Sequence, residues 1–229
     1  MKPLFFLVAL SLCMASGHAC AGFYSFSTAA GSKDAAGEPV SAKATFSLSA
    51  GSMVVTVVNL QADTVSVGQD ISSIFFTLSS GGAILSLAPS GLVSSSGTEV
   101  AIGSGGVVTS SAAAAATHWA AGAAGGQSFL NDLSGGGSPI HTIIGPAQSS
   151  GNYTTVNASI AGNFPHNPFM QKQAVFVVNA PGLLPSGTIS AVSVGFGTTP
   201  GNTLHLVPEP GTLFLFGLGG LVMRLRRPA

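Results

Sequence analysis

The chain has 229 residues, of which 6% are charged and 31 are glycine, with a formal net charge of zero. Soluble domains usually carry about a quarter of their residues as charges, and four of the cations here, Lys2, Arg224, Arg226 and Arg227, sit at the two ends. Between residues 22 and 210 only Lys33, Lys43 and Lys172 remain against a larger number of acids, so there is no basic patch to neutralise phosphates and nucleic acid is excluded as a partner.

The N-terminus opens with Lys2 and an apolar run over residues 4–14. That run is too short for a membrane span and has the flanks of a signal peptide, a segment handed to the Sec translocon. Ala19 and Ala21 flank Cys20 in an A-x-A arrangement, which predicts cleavage after Ala21 and a mature N-terminus at Gly22, with cleavage after Ala19 as the alternative. Residues 1–21 are therefore read as a signal helix. Cys13 and Cys20 leave with it, and the mature chain is expected to have no thiol, disulfide or cysteine-bound metal.

Residues 22–206 form the body. Short β-branched and aromatic runs at 44–48, 53–60, 71–78, 83–87, 153–160, 174–179 and 189–196 are separated by turn formers such as Ser80-Gly81-Gly82, Pro89-Ser90-Gly91 and Pro185-Ser186-Gly187. This pattern predicts an all-β fold, an antiparallel β-sandwich of jelly-roll or Ig-like type. The continuously apolar stretch 53–58 reads as a central strand, and the alternation over 192–196 as a half-buried one. Residues 97–139 look different, with glycine clusters and five alanines at 112–116; they are read as long Gly/Ala-rich loops with one short helix.

A search for chemistry in the body finds His118, His141, His166 and His205, none of them in a nucleophile-elbow, zinc or phosphate-loop motif. No catalytic residue, cofactor or metal is expected, and the chain is read as a non-enzyme. His118 beside Trp119 offers a glycan contact, a ring for stacking with an imidazole as hydrogen-bond partner, while the other reading of Trp119 is a core residue. Asp63 with Asp70, and Asp34 with Glu38, are the close carboxylate pairs, read as solvated turn acids. Residues 164–169, bracketed by Phe164 and Phe169, read as a plug over one end of the sandwich.

The chain ends with Val207-Pro208-Glu209-Pro210, then Gly211, an apolar run over 212–223, and the cluster Arg224, Arg226 and Arg227. Two prolines forbid helix across the triplet, and the apolar run is free to be helical after it. As a helix, residues 212–223 would measure about 18 Å at ~1.5 Å per residue, short of the roughly 30 Å hydrocarbon core. Arginines beyond an apolar segment stay cytoplasmic and act as a membrane stop-transfer signal.

Triplet, apolar segment and arginines in this order resemble the PEP-CTERM sorting signal of bacteria, over residues 207–229. The body is also loosely similar to the ectodomains that precede such tails, in its Ala-Thr-Phe-Ser-Leu strand and in Val194-Gly195-Phe196-Gly197-Thr198. The resemblance implies that an integral-membrane exosortase, a protease or transpeptidase, recognises Pro208, Glu209 and Pro210 and cuts near them. It implies transient anchoring in the inner membrane by the C-terminal helix and delivery to the cell surface or extracellular matrix of a Gram-negative bacterium. The function expected is a structural or adhesive role in exopolysaccharide, biofilm or floc. The alternative is a secreted carbohydrate-binding module or glycan hydrolase on the same scaffold.

Overall fold

The structure is a computed structural model that describes residues 22–133, 138–162 and 164–209. The signal segment and the apolar tail lie outside them, as do Pro210, Arg224, Arg226 and Arg227. No helix among the described residues is long and apolar enough to cross a membrane.

The strands in chain order are β1 (Gly22–Ser27), β2 (Ala42–Ser49), β3 (Ser52–Asn59), β4 (Ile71–Ser80), β5 (Ala83–Leu85), β6 (Leu92–Ile102), β7 (Val108–Ala114), β8 (Ala120–Ala124), β9 (Gln127–Asn131), β10 (Ile143–Ile144), β11 (Phe169–Asn179), β12 (Thr188–Phe196), β13 (Thr203–His205) and β14 (Val207–Pro208). The all-β expectation holds. In place of separate antiparallel sheets, however, the pairing is continuous, in the order β13-β12-β4-β10-β11-β3-β2-β1-β14. The strand β6 extends it from β11 and carries β7, while β9 extends it from β4 and carries β8. The sheet is mixed because the two-residue β10 runs parallel to β11 and antiparallel to β4, joining the two limbs.

Alternation explains why each limb buries one face. In β2, Ala42, Ala44, Phe46 and Leu48 point inward while Lys43, Thr45 and Ser47 are partly exposed. The β3 strand is central, as its composition predicts, yet it too is one-sided: Met53, Val55 and Val57 are buried and Val54 is 38% exposed. Phe46 of β2 packs edge-on against Phe76 of β4, with ring centroids 5.1 Å apart. Along the sheet these strands are four steps apart, about 19 Å at ~4.8 Å per step if the sheet were flat. The sheet therefore folds back over its own core, and both limbs contribute to one hydrophobic cluster. A second cluster, containing Val100, Ile102, Tyr153, Ile160 and Phe169, lies where residues 145–162 cover β6.

Three expectations are corrected. The loop assignment for 97–139 gives way to strands β7, β8 and β9, with β7 running through the alanines at 112–114. Five alanines between serines and a turn are too few to hold a helix alone, whereas the ladder to β6, Ala114 on Gly97 and Ala112 on Glu99, satisfies their backbone groups. The strand read at 153–160 is instead a series of turns. Tyr153 is buried there and donates its hydroxyl to the Gly145 carbonyl at 2.9 Å, and Tyr153 accepts a bond from Gln171 at 3.2 Å. Nor do both aromatics of 164–169 plug an end, since Phe164 is 88% exposed and only Phe169 is buried.

Candidate functional site

The strand β1 sets up the site because its sequence, Gly-Phe-Tyr-Ser-Phe-Ser, splits its two faces. Tyr24 and Phe26 point inward: the Tyr24 hydroxyl donates to the Gly187 carbonyl at 2.7 Å, and the Phe26 ring lies edge-on to Phe46 at 6.0 Å. With those anchors in the core, Ser25 and Ser27 are turned outward. One edge of β1 pairs with β2 in the register Ser25 on Thr45 and Ser27 on Lys43, so Lys43 is the diagonal neighbour of Ser25.

The other edge of β1 receives the end of the body. Strand β14 pairs antiparallel with it, Phe26 on Pro208 and Ser27 on Val207, and the ladder continues one residue on with the Glu209 N–H donating to the Ser25 carbonyl at 3.0 Å. Glu209 Oε2 then accepts from Ser25 Oγ at 2.8 Å and from Lys43 Nζ at 2.9 Å. Both partners of this ion pair are about one-third exposed in their side chains, 35% for Lys43 and 31% for Glu209. The Lys43 hydrogen bond, with a smaller contribution from Ser25, holds the Glu209 carboxyl below its usual range, so it is ionised at neutral pH.

Of the residues predicted from sequence to form the sorting signal, Pro208 and Glu209 are thus placed on the β1 edge. Ser25 and Lys43 were missed. Nothing in their immediate neighbours distinguishes them; the only signal is the alternation in β1 and β2 that turns both side chains to one face.

His118 and Trp119 are adjacent in sequence but differ in surroundings. Trp119 is 4% exposed, its ring lies 4.8 Å from that of Phe176, and its indole N–H donates to the His141 carbonyl at 2.9 Å. The ring is thus part of the core. His118 Nδ1 lies 2.9 Å from both the backbone carbonyl and Oδ1 of Asp132. Burial raises the Asp132 carboxyl to about 7, against the opposing pull of His118. Nearby in the fold, His141 Nε2 meets Glu99 Oε2 at 2.9 Å and its Nδ1 lies 3.4 Å from Thr117 Oγ1. These two histidine–carboxylate pairs bind loops 115–119 and 138–142 to β6 and β9. Among the described residues no three His, Cys, Asp or Glu side chains gather as a metal site needs.

The acids read as solvated are divided. Asp63 is exposed and accepts from Gln148 at 3.1 Å. Asp34, largely buried, accepts from the Glu38 N–H at 2.7 Å. Asp70 departs from the expectation entirely: it is fully buried, and neither carboxylate oxygen has a hydrogen-bond partner in the protein.

No curated protein and no solved structure matches the chain. A family model does: residues 206–227 match the PEP-CTERM protein-sorting motif. The match begins at Leu206, which is buried and donates its N–H to the Val192 carbonyl at 2.8 Å, so the motif starts inside the folded body. This chain is one of the proteins that carry a PEP-CTERM sorting motif, which marks it as exported to the cell surface with an exosortase as its processing partner.

Proposed function

We propose that the protein is a non-enzymatic structural or adhesive component of an exopolysaccharide matrix, built on a β-sandwich scaffold. It is delivered through the Sec translocon and held transiently in the inner membrane by residues 212–223, with Arg224, Arg226 and Arg227 as the stop. An exosortase that reads Pro208, Glu209 and Pro210 then releases it to the cell surface or matrix. The observation carrying this reading is a sorting motif joined directly to a body whose broad outer face is nearly free of charge. Register aligns Phe23, Ser47, Val54, Val177 and Ser94 in one outward row, and Thr45, Thr56, Val175 and Ser96 in the next. Hydroxyls that donate and accept, set among small apolar groups, suit contact with a hydrated, weakly charged polymer.

The test is expression in an exopolysaccharide-producing host that carries an exosortase, with intact-mass spectrometry of the extracellular protein for wild type and Glu209→Ala. Wild type is expected to lose the residues beyond the triplet and to sediment with the matrix, and Glu209→Ala to keep its tail. An unprocessed C-terminus in both, or a processed chain found wholly in the medium, would refute the reading.

A further inference from the structure

The sorting triplet has few features that another protein can read. Pro208 and Pro210 have no backbone N–H, so the only donor in the triplet is the N–H of Glu209, and its only charge is the Glu209 carboxylate. The body occupies both: the N–H donates to the Ser25 carbonyl at 3.0 Å, and Oε2 accepts from Ser25 Oγ and Lys43 Nζ. An enzyme that binds an extended segment by strand addition uses main-chain hydrogen bonds for affinity and side-chain pockets for specificity. Here the same atoms would serve the body and the enzyme in turn.

We infer that Ser25 and Lys43 are an in-chain receptor for the sorting triplet, so that exosortase processing takes place only on chains whose β14 has left β1. This rests on the exosortase reading above. The prolines restrict the segment to extended backbone whether docked or free, so docking and release cost little conformational order. Two residues, Pro210 and Gly211, separate Glu209 from Thr212, three steps or at most about 11 Å of chain, so an enzyme acting in that interval meets the β1 edge while β14 is docked. Lys43 and Ser25 touch no reacting atom in this scheme; they set the fraction of chains that can be read.

The test compares cleavage rates of purified full-length chains in membranes bearing an exosortase, followed by intact mass. Lys43→Ala removes the ion pair and is expected to be cut several-fold faster than wild type. Ser27→Cys with Val207→Cys joins two directly paired residues outside the triplet. This chain is expected to stay whole when oxidised and to be cut at about the wild-type rate when reduced. Hydrogen exchange without enzyme checks the docking itself, with the Glu209 amide protected in wild type and exchanging several-fold faster in Lys43→Ala.

Cleavage of the oxidised chain at the wild-type rate, an unchanged or slower Lys43→Ala, or an unprotected Glu209 amide in wild type would each overturn the receptor. If those chains are cut alike while Glu209→Ala stays whole, the receptor alone fails. If wild type and Lys43→Ala both stay whole, the exosortase reading fails and takes the receptor with it.

Discussion

Asp70 shows most directly how a single residue is set by its surroundings. It sits just ahead of β4 with its carboxylate fully buried, and burial pushes its pKa well above the usual carboxylate range. The Thr142 hydroxyl opposes that only in part, from outside hydrogen-bonding geometry. The folded chain therefore keeps this proton to higher pH than the unfolded chain does, and stability falls as pH rises from about the unfolded carboxylate value toward the raised one. Asp132 adds to the same trend over the window from 3.8 to about 7. Asp70→Asn is neutral at every pH and escapes its share of the loss. Thermal unfolding is expected to show the variant close to wild type near pH 3.5 and clearly more stable at pH 8; a constant difference across that range would contradict a raised Asp70. None of this was legible in the residue's neighbourhood, Gln69-Asp70-Ile71, which reads as a turn leading into a strand. Its burial comes from residues around Thr142 and Tyr153, more than seventy positions away.

Among the elements, β7 owes its form to its partner. Its alanines favour helix, but β6 offers a ladder from Ala114 on Gly97 to Val108 on Ile102, and the turn between the strands is held by residues 145–162. Gly106 makes that turn possible. Its φ is +75°, and a Cβ there would fall 1.8 Å from the Tyr153 carbonyl oxygen, whose own N–H donates to the Gly106 carbonyl at 2.8 Å. Gly106→Ala must move the covering loop as well as adopt a left-handed backbone, at a cost of about 3 kcal/mol. For a chain of this size that lowers Tm by about 6–12 °C, and differential scanning calorimetry would detect it. A change of under a degree would show that the loop is not held as described. The strands β2, β3, β4, β11 and β12 were legible beforehand because their β-branched and aromatic residues alternate or cluster between turn formers. Strands β7 and β8 were not, since their alanines and glycine are poor strand formers, and β9 shows only Phe129 and Leu130 among polar residues.

For the molecule as a whole, the end of the body is a detachable piece. Strand β14 contributes two residue pairs, the Glu209 N–H bond and an ion pair about one-third exposed. Hydrogen bonds add about 1 kcal/mol each and exposed ion pairs about 0–1, which amounts to roughly 1–3 kcal/mol in total. A chain of residues 22–206 is therefore expected to melt about 2–12 °C below one of residues 22–209, with the rest of the fold unchanged by circular dichroism. Loss of the cooperative transition would mean that β14 is integral to the core, and so unfit to be released for processing.

The sequence by itself determined the C-terminal sorting motif and the all-β class. A Pro-Glu-Pro, apolar, arginine tail is defined by residue order along a short stretch of chain, and strands declare themselves by a period of two. Only the tertiary structure decided that the sheet folds back on itself through β10, that Trp119 belongs to the core and that Asp70 is buried. It alone brought Lys43 to Glu209, 166 positions away. Such contacts depend on which strand lies beside β1 and which face it turns outward. That pairing is settled by burial of Tyr24, Phe26 and Phe46 in a shared core, which no local stretch of the chain encodes.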